Sequence, residues 1–70
     1  MIETFIPRST HISQVTYDSD TRDMNITFSD GSEYRYMSVP VGVFQGIQNA
    51  PSAGAYFHRQ IKDRYGYEQL

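Results

Sequence analysis

His11 and His58 are the only side chains in this sequence whose ordinary pKa puts a charge change near neutral pH. With Arg59 and Lys62 they hold the ingredients of acid–base chemistry on a phosphodiester. The spacing argues against that chemistry: the two histidines lie far apart in the chain, and no third group is placed to orient either, as an activated base requires. Asp18, Asp20 and Asp23 gather in one turn but lack the glycine and terminal glutamate of a calcium loop, so they read as turn formers that accept backbone N–H bonds. The chain has no cysteine, hence no thiolate nucleophile, no thiolate metal ligand and no disulfide. No cofactor loop or metal cluster is readable, and the sequence is expected not to be an enzyme.

A binding surface is the better expectation. Residues 55–65 hold Arg59, Lys62 and Arg64 against Asp63 alone, a local charge of +2 in a chain of net charge −2. A helix dipole favours cations near a C-terminus and accounts for this cluster without a ligand. A ligand-facing patch is the second account, and Tyr56 sharpens it. Lying one position before an apolar stripe and beside His58, Tyr56 is expected to present an aromatic edge among cations, as protein interfaces and nucleotide-binding surfaces both do. Arg35 sits between Tyr34 and Tyr36 and completes the candidate set of Tyr56, His58, Arg59, Lys62, Arg64 and Arg35.

The elements that position these residues follow from periodicity. Met24, Ile26 and Phe28 alternate with polar residues, as do Tyr34 and Tyr36, which reads as two half-buried strands. A two-residue loop at Asp30-Gly31 would set Phe28 against Glu33 and Ile26 against Arg35. A three-residue loop, Ser29-Asp30-Gly31 with Gly31 left-handed, instead pairs Ile26 with Tyr34 and Met24 with Tyr36, and is preferred. The same parity pairs Val15 with Ile26 and Tyr17 with Met24 through the turn Ser19-Asp20-Thr21-Arg22. Tyr17, Tyr34 and Tyr36 then share a face with Val15, Met24, Ile26 and Phe28, so they read as core rather than as a base-stacking sheet.

Two helices supply the cover. Pro40 suits a first helical turn, and Pro40, Val43, Phe44 and Ile47 repeat at helical spacing to an end near Asn49. Gly42 and Gly46 leave a shallow strip on that helix for the close approach of another backbone. Ser52 is a good N-cap. Ala53, Phe57, Ile61 and Tyr65 then recur every four residues to a stop at Gly66, with Tyr67 to Leu70 as a tail. The expected fold is α+β: a three-stranded antiparallel meander with two C-terminal helices packed on one face. Residues 1–10 read as an extended arm, broken by Pro7, that packs Phe5 or Ile6 on a single domain of residues 11–70.

Seventy residues bury only about 60% of the unfolded surface, and six Tyr and four Phe offset that small size. No apolar run approaches the roughly 18–20 residues that span a bilayer, and no signal-peptide pattern is present, so a cytoplasmic location and no membrane partner are expected.

The run Tyr17-Asp18, Ile26-x-Phe28, Asp30-Gly31, Tyr34-x-Tyr36, Val39-Pro40, Val43-Phe44, Ala50-x-Ser52-x-Gly54, Tyr56-Phe57, Ile61-Lys62 and Tyr65 resembles the KTSC domain, over about residues 9–70. That family is named for its occurrence at the C-terminus of some lysyl-tRNA synthetases and also occurs as stand-alone bacterial and phage proteins. Ala53 and Lys62 depart from its common pattern. The resemblance implies a fold and no catalytic residues. The function expected is a small non-enzymatic binding module that takes a protein partner, an adaptor or an inhibitor, with the family's phage occurrences suggesting a phage-encoded protein directed at a host protein. The alternative is RNA or single-stranded DNA bound through Tyr56, Arg59, Lys62 and Arg64; a homo-oligomer stays open.

Overall fold

A computed structural model describes all residues, Met1 to Leu70. The chain runs β1 (Ile2–Phe5), β2 (Ile12–Asp18), β3 (Asp23–Phe28), β4 (Glu33–Tyr36), α1 (Val41–Asn49), α2 (Ala53–Gln60) and β5 (Tyr67–Gln69). The strands form one antiparallel sheet in chain order, β1-β2-β3-β4-β5. The α+β class and the two helices match the sequence reading; the sheet has five strands rather than three.

The central registers follow the parity argument. Ile26 pairs with Tyr34 and Met24 with Tyr36, while Val15 pairs with Ile26 and Tyr17 with Met24. Gly31 closes the β3–β4 loop at φ 92°, the left-handed region that a side chain would strain. Beside it, Asp30 accepts from the Ser32 hydroxyl at 2.6 Å and the Ser32 N–H at 2.9 Å, bonds that lower its pKa. In the preceding turn Asp18 accepts from the Asp20 N–H at 2.9 Å. A register shift between Ile12 and Gln14 adds one residue to β2. That extra residue turns Ile12 onto the same buried face as Val15 and Tyr17, which strict alternation cannot do.

The extended arm becomes β1, paired with β2 so that Phe5 stands opposite Val15. Phe5 packs against the core, whereas Ile6 is 71% exposed. The expected stop at Gly66 is corrected. Helix α2 ends at Gln60 with Ile61 as its C-cap, and the Phe57 carbonyl accepts from both the Ile61 and Lys62 N–H groups at 3.0 Å. Leaving the helix there frees the chain to return along β4, where Tyr67 pairs with Tyr36 and Arg35 with Glu68. The four-residue stripe survives the break: Ala53, Phe57 and Ile61 are buried and Tyr65 packs beside them.

Both helices lie on the apolar face. Pro40 is the N-cap of α1, one position ahead of the expected first turn. Phe44 stacks on Tyr17 with ring centroids 5.1 Å apart, and the Tyr17 hydroxyl donates to the Val39 carbonyl at 2.6 Å. The glycine strip behaves differently from expectation. Nothing approaches Gly42, and a side chain rather than a backbone fills the space at Gly46, where a Cβ would collide with the Tyr56 ring. No helix is long and apolar enough to cross a membrane.

Truncating the stacked core ring, Phe44→Ala, is expected to cost about 3–5 kcal/mol, enough to unfold most of a domain this size; an unchanged thermal transition would mean that α1 does not cover the sheet. Gly46→Ala should cost about 1–3 kcal/mol by overpacking. Adding Tyr56→Ala should recover part of that loss in a double-mutant cycle of denaturant midpoints, and additive effects would remove Tyr56 from the helix interface.

Candidate aromatic cleft

Strand alternation and one helical turn bring five aromatic rings together where α2 passes over β3, β4 and β5. Phe28, Tyr34 and Tyr36 come from the apolar face of β3 and β4. Tyr67 joins them from β5, because its pairing with Tyr36 puts it on that same face. Phe57 comes down from α2. Neighbouring centroids lie 5.7 Å (Phe28–Tyr34), 5.8 Å (Tyr34–Tyr67), 5.5 Å (Tyr67–Tyr36), 5.6 Å (Tyr36–Phe57) and 5.3 Å (Phe57–Phe28) apart, so the contacts close into a circuit. Three of the five contacts are edge-to-face, the arrangement that ring quadrupoles favour.

These rings line a cleft of about 520 Å³, within the roughly 300–1,000 Å³ of small-ligand sites. Of the five rings Tyr36 and Phe57 are buried, at 3% and 8% exposure, while Tyr67 is 56% exposed. At one end stand His11 and Gly54; His58, Lys62 and Asp63 follow along α2 and the turn after it. His11 is held there by its backbone: Ser9 Oγ accepts from the His11 N–H, and the His11 carbonyl accepts from the Ser29 N–H at 2.8 Å. The two histidines that sequence spacing left apart thus border one cleft. Neither imidazole hydrogen-bonds to another protein group, so no acid–base pair is assembled.

Tyr36 is the perturbed group of the cleft. Burial pushes its pKa up to about 12, assisted by Tyr67, Tyr34 and the Asp63 carboxylate, all of which disfavour a second negative charge. Its hydroxyl makes no hydrogen bond within the protein, whereas the Tyr17 hydroxyl is engaged by the Val39 carbonyl.

The predicted cationic face divides. Of its members, His58 and Lys62 border the cleft. Tyr56 is only half-exposed and lies over Gly46 between the helices, so it is not the free aromatic edge expected. Arg64 folds back, its Nε donating to the Arg59 carbonyl at 3.1 Å, where a cation meets the negative end of the α2 dipole. Arg59 is exposed and does not line this cleft. Arg35 projects from the opposite sheet face and pairs with Glu68 at 2.9 Å. Sequence reasoning missed Tyr67, assigned to a tail, and Asp63, counted only as a charge. The signal for Tyr67 was its parity with Tyr36 once a fifth strand is allowed.

Fold and cleft together define a small α+β domain with one covered sheet face and an aromatic cleft at the sheet's edge. The KTSC domain family matches residues 8–65, and the chain belongs to that family. It is 42% identical over 64 residues to a lysine–tRNA ligase of Trichormus variabilis and 41% identical to one of Nostoc sp.; each alignment covers 91% of this chain and 11% of the ligase. The chain therefore spans only about a tenth of those relatives. An uncharacterized protein of Stutzerimonas stutzeri is 31% identical over 58 residues, covering 83% of this chain and 82% of that one. The crystal structure of a KTSC domain protein from Yersinia pestis superposes with a TM-score of 0.90 at 28% identity, across all of this chain and 99% of the other.

The raised Tyr36 pKa has a defined sign. A neutral phenol favoured by folding contributes stability that is fully present below about pH 10 and is lost as pH rises through about 12. In an alkaline spectrophotometric titration one of the six tyrosines should ionise last, together with unfolding, and Asp63→Asn should bring that step to lower pH. A step unmoved by Asp63→Asn would place the carboxylate too far away to matter.

Proposed function

We propose that this chain is a non-catalytic protein-binding module, an adaptor or inhibitor, and that its partner inserts a side chain into the aromatic cleft. The observation that carries this reading is the closed circuit of five rings, graded from buried Tyr36 to exposed Tyr67, around a Tyr36 hydroxyl that no protein group engages. Interface hot spots are fully desolvated pockets of this kind, rich in tyrosine and rimmed by polar groups. The absence of an orienting contact to either histidine supports binding over catalysis.

The relatives support a second reading. Lysine–tRNA ligases act on RNA, and a base could stack on Tyr67 as on other single-strand-binding surfaces. Charge ranks it second: Arg64 is engaged by the helix end, Arg35 by Glu68, and Lys62 has Asp63 as its neighbour, which leaves Arg59 as the one cation of that face without such a contact.

Pull-down from a bacterial lysate, with and without nuclease, separates the two. A catch that survives digestion and is reduced about tenfold or more by Tyr67→Ala supports the protein partner. A catch lost on digestion, or one indifferent to Tyr67→Ala, overturns it.

A further inference from the structure

From the ring circuit, the unpartnered Tyr36 oxygen and the Asp63 carboxylate at the rim, we infer that the cleft receives a cationic side chain, an arginine on a basic segment of the partner. The inference deepens the protein-binding reading and rests on it. Aromatic faces carry negative quadrupole charge, and several of them around one space attract a cation more strongly than they attract a neutral group. Among the cations a guanidinium fits best. It is flat and weakly hydrated, it stacks on tyrosine, and its fork of N–H donors can reach two acceptors at once. Both acceptors are present. Tyr36, at 3% exposure, holds an oxygen in the cleft with no protein donor, and Asp63 borders the same cleft and acts on that hydroxyl.

The protein leaves these rings free for such a ligand. None of the six Lys and Arg residues stacks on a ring of the circuit. Charge complementarity points the same way: with eight acids against six bases the chain favours a basic partner segment. Lys62 is the opposing group that is always charged, exposed at the rim beside His11 and His58, and it makes the assignment testable by sign.

The test is a nuclear magnetic resonance titration of the full chain with three probes: acetyl-Gly-Arg-Gly-amide, its Glu counterpart and uridine monophosphate. A lysine version measures the preference for guanidinium over ammonium. The arginine peptide is expected to shift the Tyr36, Phe57 and Tyr67 amides saturably, and more tightly than the lysine peptide. Asp63→Asn should weaken it about threefold to tenfold, Tyr36→Phe should weaken it less, and Lys62→Gln should tighten it about twofold or more, since removing a like charge favours a cation. Lys62→Gln and Tyr36→Phe lie on the rim or keep the ring, so folding is retained in both. Saturable binding of the Glu peptide or of uridine monophosphate in place of the arginine peptide overturns the inference, as does weakening by Lys62→Gln. Failure of every probe also overturns it. A nuclease-resistant, Tyr67-dependent catch in the pull-down would then leave the protein-binding reading standing, with a different occupant.

Discussion

The Tyr17 hydroxyl donating to the Val39 carbonyl, beneath the Phe44 ring, is the contact on which the rest of the architecture depends. A sheet with one apolar face needs a cover, and the cover begins at the short connection between β4 and α1. Val39 is fully buried there, its carbonyl taken by Tyr17 and its N–H donated to the Arg22 carbonyl at 2.9 Å. That latch ties the start of the helical layer to the β2–β3 turn and fixes the direction in which α1 leaves the sheet. A neutral buried hydrogen bond contributes about 1 kcal/mol when made and costs about 1–3 kcal/mol when one partner is left behind. The asymmetry makes the latch more important for specifying the helix position than for adding stability.

Once α1 is placed, α2 must lie alongside it, and Gly46 sets how closely. The Tyr56 ring occupies the volume that a Cβ would take at Gly46, so a residue that could have been a surface anchor becomes the spacer between helices. With Tyr56 turned toward α1, Phe57 on the neighbouring position points down to Phe28 and Tyr36. The cleft is therefore a product of helix packing: the helix seam and the aromatic circuit are specified by adjacent residues of one turn.

Much of this was legible in the sequence because the central strands alternate with period two and carry their loops' glycine and aspartate signals. The register of β2, β3 and β4 follows from requiring apolar residues to face one another, and parity admits one solution. The outer strands carry no such constraint. β1 has four residues and β5 three, all but Phe5 exposed, so neither has an apolar face to fix it, and backbone pairing along a free sheet edge decides both. The α2 terminus was misplaced for a related reason: Ile61 and Tyr65 continue the helical stripe although the backbone has already left the helix. The cationic face was overestimated because sequence shows which charges are near one another but not which are occupied, as Arg64 is by a carbonyl and Arg35 by Glu68.

The most exposed wall of the cleft stands on the weakest part of the sheet. Tyr67 belongs to a three-residue strand at the edge of the sheet, paired on one side with β4. Short edge elements open locally at a small fraction of the global unfolding free energy. Opening of β5 alone would leave a four-ring cleft and an undisturbed core, and a ligand that touched Tyr67 would draw this strand onto the sheet by mass action. Occupancy of the cleft and protection of the β5 amides against solvent exchange would then be two readings of a single equilibrium.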